Sequence, residues 1–214
     1  MMRKNTVMQP KQALLVLSLL ALLASGCAFT AEEAKYTVIR QVKNFELRDY
    51  PPQIVAETEV AASLEDAGNK AFRRLFNYIS GKNKSQEKIS MTSPVTQEAS
   101  SEKIAMTSPV AQQSTADGWM VSFMMPAFYT MDTIPTPDDP NVKVRRIPPR
   151  LMACVQYSGG WSEKRYRKYL QELEAWIADS GFQVLGKPIW ARYNPPFTPW
   201  FMRRNEILIH VNSE

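Results

Sequence analysis

The chain has 214 residues, with 26 basic and 21 acidic side chains, one histidine and two cysteines. Residues 1–26 hold three of the basic residues (Arg3, Lys4 and Lys11) and no acid, so the remainder carries 23 basic against 21 acidic residues, a net charge of +2. That balance excludes the strongly basic footprint of a nucleic-acid-binding domain, and so small a complement of histidine and cysteine supports neither a nucleophilic triad nor a histidine-based metal site.

The chain opens with a charged stretch followed by an apolar run over 13–24, the pattern of a cleaved secretory signal. The run is short for a finished membrane helix. It ends in Leu23-Ala24-Ser25-Gly26-Cys27, which resembles the lipobox of bacterial lipoproteins, although leucine is more usual where Ala24 stands. The expectation is a signal peptide over 1–26 and acylation of Cys27. Several acyl chains, at about 0.8 kcal/mol per buried methylene, would hold the protein on a membrane. Residues 27–35 read as a lipid-anchored tether, and 36–214 as one exported domain on the periplasmic or outer-membrane side of the envelope. With Cys27 committed, Cys154 has no partner for a disulfide. Its setting, Leu151-Met152-Ala153-Cys154-Val155, predicts a buried, inert thiol.

Two blocks then share one plan. Phe45-Glu46-Leu47-Arg48-Asp49-Tyr50-Pro51-Pro52-Gln53-Ile54 aligns without a gap on Val142-Lys143-Val144-Arg145-Arg146-Ile147-Pro148-Pro149-Arg150-Leu151. In each, alternation of apolar and polar residues predicts a strand, Pro-Pro interrupts, and a more apolar strand follows. A helix follows each pair. The first, over 64–79, places Ala67, Ala71, Phe72, Leu75, Phe76 and Ile79 on one stripe and stops at Gly81. Between it and the next strand, the run Lys88-Ile89-Ser90-Met91-Thr92-Ser93-Pro94-Val95 recurs as Lys103-Ile104-Ala105-Met106-Thr107-Ser108-Pro109-Val110. Each copy predicts a short edge strand ended by its Ser-Pro. A strand is expected over 119–125. The second helix runs from Ser162, its N-cap, to about Ser180, with Tyr166, Tyr169, Leu170, Leu173, Trp176 and Ile177 as its stripe and Gly181 behind it. Strands are expected over 188–193 and 206–211. The class is α+β: a twisted, largely antiparallel, barrel-like sheet built from two similar strand-strand-helix-strand halves, with two helices packed on it and a cleft between the halves.

Several segments coincide with one family. Lys103-Ile104-Ala105-Met106-Thr107-Ser108-Pro109-Val110, the turn Tyr193-Asn194-Pro195-Pro196-Phe197, the run Arg203-Arg204-Asn205-Glu206 and the stretch from Phe45 through Pro52 resemble the SOUL family of haem-binding proteins. The resemblance implies affinity for haem and related tetrapyrroles, generally without a catalytic reaction. The implied fold is similar to small-molecule effector-binding domains of bacterial regulators, some of which hydrolyse ligands. In animal members, a basic residue on the first helix and a lysine in the loop after the Tyr-x-Pro-Pro turn are linked to haem carboxylates. The helix position falls here near Asn69 and Lys70, and the loop position is Thr198. Lys70, Arg73 and Arg74 are therefore candidates by proximity only.

A haem site needs a wide apolar slot and cations for the propionates. Leu75, Phe76 and Ile79 with Met106, Phe123 and Met125 are the candidate wall, and Lys70 and Arg73 the candidate cations. His210 lies in Glu206-Ile207-Leu208-Ile209-His210-Val211 on the face opposite Ile207, Ile209 and Val211. It is expected to be structural or solvent-facing, so haem is expected without a histidine axial ligand. No catalytic residue and no metal ligand is singled out. Two other readings stay open: a small-molecule hydrolase using a glutamate with Tyr50, Tyr157 or Tyr193, and an envelope interaction protein with a vestigial pocket. Ser158-Gly159-Gly160 suits an anion cradle or a tight turn, and the loop from Phe197 to Arg204 suits a pocket lip or a contact with lipid headgroups.

Overall fold

A computed structural model of the chain describes residues 31–86 and 101–212. The expected signal segment over 1–26, Cys27 and the first copy of the Met-Thr-Ser-Pro-Val repeat lie outside the described residues. In chain order the elements are β1 (Glu32–Glu33), β2 (Thr37–Val42), β3 (Phe45–Tyr50), β4 (Gln53–Val60), α1 (Leu64–Ile79), β5 (Asn83–Lys84), β6 (Thr107–Ser108), β7 (Val110–Ser114) and β8 (Trp119–Met124). There follow β9 (Thr136–Pro137), β10 (Lys143–Ile147), β11 (Arg150–Tyr157), α2 (Glu163–Asp179), β12 (Gln183–Val184), β13 (Ile189–Arg192), a 3-10 turn (Trp200–Met202) and β14 (Asn205–Asn212).

The main sheet is antiparallel and open, in the order β10-β4-β8-β7-β13-β14-β11-β3-β2. Its pairing supplies what the alternation does not specify. The two strands joined by Pro51-Pro52, β3 and β4, do not pair with each other: β3 pairs with β11, and β4 with β10. The same holds across Pro148-Pro149. Proline supplies no amide hydrogen to a ladder, and each Pro-Pro carries the chain from one half of the sheet to the other. The two halves thus exchange one strand each.

In the second copy of the repeat, Thr107 and Ser108 form a short strand ended by Pro109, parallel to Glu32 and Glu33. Val110 then opens β7, a central strand that pairs with β8 on one side and β13 on the other and so joins the halves.

Both helices sit on one face of the sheet. Ser63 accepts the Asp66 amide at 3.2 Å and starts α1, and Gly81, at φ +112°, takes the chain away from it. Ser162 and Gly181, at φ +75°, do the same for α2. The core under α1 contains Ala71, Leu75, Ile79, Val121 and Phe123, and that under α2 contains Val155, Leu173, Ile177, Trp190, Ile207 and Ile209. Leu75 is fully buried, which contributes about 1.5–3 kcal/mol by apolar transfer.

The hairpin from β7 to β8 turns at Gly118 because nothing larger fits. A Cβ there would lie 2.3 Å from the Val60 carbonyl oxygen and 3.0 Å from the Ala61 Cα. Both are backbone atoms and cannot swing aside. Gly118→Ala is expected to cost about 1–3 kcal/mol as an overpacked site, read as a lower urea midpoint with an unchanged slope.

Candidate functional site

The sheet face away from the helices is concave, and it is not a solvent face. Strands β3 and β14 place charged side chains on it where period-two alternation alone would put them in water. Arg48 and Glu206 are both fully buried. They meet in a bidentate pair, Nη1 to Oε2 at 2.7 Å and Nη2 to Oε1 at 3.0 Å, while Arg48 Nε donates to Glu46 at 2.6 Å. Glu206 also accepts from Arg204 Nε at 3.0 Å and from the Tyr193 hydroxyl at 2.7 Å. The Arg48 guanidinium lies 4.1 Å from the Tyr36 ring centre, and that of Arg204 lies 3.8 Å from the Tyr193 ring centre. Burial by itself would raise the Glu206 carboxyl, but the hydrogen bond and charge of Arg48, and then the charge of Arg204, hold it below its ordinary value. Burial, with Glu206 alongside, pushes the Tyr193 phenol far up.

This cluster accounts for residues that the sequence presented only as motif. Tyr193, Arg204 and Glu206 are members of it. Asn194 accepts the Arg204 amide at 2.6 Å, and Arg203 holds the carbonyls of Pro196 and Thr198 at 2.6 and 2.7 Å, which closes the 194–203 loop. Asn205 joins the Gly159 carbonyl to Trp161 Nε1. Gly159, at φ +128°, is therefore part of a structural turn under the Arg165 side chain. Sequence reasoning missed Arg48 and Glu206 as partners. Opposite charges on two strands that are otherwise apolar were the available signal.

Beside the cluster is a cavity of about 90 Å³ that opens to solvent. Its walls include Val55, Met120, Met124, Met152, Ile189 and Leu208. A second, open trough of about 420 Å³ has Met125 and Tyr129 among its lining residues, with Glu32, Glu33 and Asp132 also on its border against Lys35 and Arg146.

The predicted wall residues separate on the structure. Leu75, Ile79, Phe123 and Met125 are buried core, and Met106 is half-buried against them, so as a group they do not face an open slot. Phe76 is 46% exposed, and Phe72 next to it is 38% exposed. Their rings stack at 5.7 Å with 13° between planes, and Phe72 meets buried Phe123 edge-on at 5.4 Å. Lys70 and Arg73 are exposed and follow round the open side of α1. Arg74 is turned away, bonded to Thr58 at 2.8 Å and paired with Asp139. Between the helices, Arg192 sits 4.1 Å from the Trp190 ring centre and 5.0 Å from that of Trp161, and Gly68 leaves it room on the α1 side.

His210 is half-buried near the end of β14, where its carbonyl accepts the Leu185 amide. It shares the concave side with Glu206 and Leu208, so that side is an interior for part of its length and solvent only at its end. Cys154 is fully buried, and burial, reinforced by Glu206, pushes its thiol well above the usual range. Tyr157 lies in the core under α2, and the Tyr50 hydroxyl accepts from Arg48 at 3.2 Å. Phe197, Trp200, Phe201 and Met202 stand exposed on the loop before β14. Among the described residues no cluster of three or more His, Cys, Asp or Glu side chains is placed to hold a metal ion.

A family model described as SOUL heme-binding protein matches residues 31–210. The chain belongs to the SOUL haem-binding family. No curated protein matches it in sequence. Among solved structures, the C-terminal domain of EcmrR is similar over 84% of this chain and 99% of that one, at 14% identity and a TM-score of 0.55. EcmrR in a complex with DNA is similar over 95% of this chain and 65% of that one, at 12% identity and a TM-score of 0.55. A hydrolase from Listeria innocua is similar over 81% of this chain and 94% of that one, at 13% identity and a TM-score of 0.51. At these identities the likeness is one of fold. Within that fold, this SOUL member has its central carboxylate neutralised by two arginines.

Proposed function

We propose that the protein binds haem or a related tetrapyrrole on the flank of α1, without catalysis, and does so at a bacterial cell envelope while anchored through Cys27. The observation that carries the site is the stacked, exposed Phe72–Phe76 pair, continuous with core Phe123, with exposed Arg73 next to it round the helix and exposed Lys70 one turn before Arg73. A flat macrocycle gains most from aromatic surface held rigid at one edge, with cations at the rim for its propionates. The other surfaces suit it less. The concave cavity, at about 90 Å³, is well under the roughly 300 Å³ at which pockets for drug-sized ligands begin. The open trough borders three acids, one of them Glu33 paired with Arg204, against two bases, and so offers propionates no excess of positive charge.

A hydrolase would need a carboxylate and a phenol free to trade protons. Tyr193 and Glu206 do touch, but every Glu206 lone-pair direction is occupied by Arg48, Arg204 or Tyr193, and the carboxyl is held low while the phenol is pushed high. Such a pair is poorly matched to general acid–base work near neutral pH. Support for the anchor comes from the charged and apolar leader and the small residues before Cys27.

Haem titration of the purified protein, followed at the Soret band, tests the binding reading. Phe72→Ala with Phe76→Ala is expected to weaken binding by about tenfold or more, and an unchanged affinity would sink the site. His210→Ala is expected to leave the Soret spectrum as it was. For the anchor, mass analysis of the mature protein should find Cys27 as the first residue with a lipid-sized addition, and a free Cys27 thiol would refute it.

A further inference from the structure

The concave cavity holds a charge that the fold does not neutralise. Three ionised side chains line it: Glu57, Arg145 and Arg150. Arg145 Nε donates to Glu57 at 2.7 Å, which satisfies those two. Arg150 is different. Its Nε is sealed from solvent and has no hydrogen-bond partner, and among the described residues no carboxylate pairs with its guanidinium. Glu206, the buried acid of the neighbouring cluster, is saturated by Arg48, Arg204 and Tyr193. Burial, and to a lesser degree repulsion from Arg145, pulls the Arg150 pKa below its ordinary value, with Tyr50 acting the other way.

An arginine carries five donors and stays charged, so a half-buried one that lines a cavity with no carboxylate paired to it offers its guanidinium to an acceptor from outside the chain. The walls say what else that acceptor carries. Val55, Ile189 and Leu208 give rigid apolar surface, and Met120, Met124 and Met152 give surface that adapts to shape. The cavity, about 90 Å³ and open to solvent, admits a compact group whose attached chain can lie along these apolar walls.

We propose that the concave face is a second binding site, for a small organic carboxylate on a short apolar chain, with Arg150 as its counter-charge and the methionines as its walls. This site lies on the opposite side of the sheet from Phe72 and Phe76, and it does not depend on the tetrapyrrole reading. Its charge preference is the reverse of what a free central glutamate would give.

Calorimetric titration of the purified protein with sodium octanoate, octyltrimethylammonium bromide and haem tests it. Octanoate is expected to bind at least about tenfold more tightly than the cation of equal chain length. Arg150→Gln is expected to weaken octanoate by about tenfold, and Met120→Trp, which fills the cavity without touching its charge, to abolish it. Both variants should bind haem as the parent does, and Phe72→Ala with Phe76→Ala should bind octanoate as the parent does, so the two sites fail separately. No octanoate binding at millimolar concentration, tighter binding of the cation, displacement of octanoate by haem, or full octanoate affinity in both Arg150→Gln and Met120→Trp would overturn the proposal.

Discussion

Glu206→Gln is expected to destabilise the protein by about 3–5 kcal/mol, the range seen when one partner of a buried ion pair is removed. The substitution keeps the shape of the side chain but removes the charge that offsets two arginines. Arg48 would remain fully buried with only Glu46, whose side chain is 15% exposed, as its counter-charge. Arg204, 27% exposed, keeps Glu33 at 2.8 Å and can turn toward water. Most of the cost therefore falls on Arg48. Urea unfolding reads it as a lower midpoint. Replacing both Arg48 and Glu206 by methionine is expected to recover much of the loss, because two apolar groups leave no orphaned charge. If Glu206→Gln costs less than about 1 kcal/mol, Glu46 and Glu33 are sufficient and the cluster is not the centre of the fold.

Acid is expected to unfold the protein through the same residue. The Glu206 carboxyl is held below its ordinary value of 4.5 in the folded state, so the unfolded chain takes up its proton more readily. The stability it contributes is fully present above 4.5 and is lost as pH falls below it. On the alkaline side the phenols of Tyr50 and Tyr193, both pushed up by burial, work in the opposite sense. Their contribution is present below 10, the ordinary tyrosine value, and is lost as pH rises beyond it. Thermal melts from pH 7 down to 3 should show a steep fall that Glu206→Gln flattens. Equal slopes in the two proteins would locate the acid sensitivity elsewhere.

Local signals in the sequence carried the secondary structure a long way. Both helices were legible to the residue because each has a serine cap, an apolar stripe and a glycine behind it. Strands β3, β4, β8, β10, β11, β13 and β14 were legible because apolar and polar residues alternate in them or run apolar, whereas β2 and β7 were not marked out. What lay beyond local pattern was which strand pairs with which. Pro-Pro marks a connection, and nothing in its neighbourhood says that the chain then crosses to the other half of the sheet. The candidate wall fared unevenly for a related reason. Helical period puts Leu75, Phe76 and Ile79 on one broad stripe, but only tertiary packing decides that Leu75 goes under the helix while Phe76 stays at its edge. Arg48 and Arg150 look alike as basic residues on strands. One is paired and the other is not because of residues a hundred or more positions away: Glu206 reaches Arg48, while Arg150 faces Tyr50.

That distance has a consequence for how the chain comes to be folded. The carboxylate that neutralises Arg48 arrives 158 residues later, on the last strand. A polypeptide emerging from its first residue onward has β3 early and Glu206 almost last, so the interior of the second half cannot close until nearly the whole chain is present. Non-local pairings of this kind slow folding. The terminal strand thus acts as a check on completeness: a product cut short before residue 206 would carry an unmatched arginine in its centre and stay open.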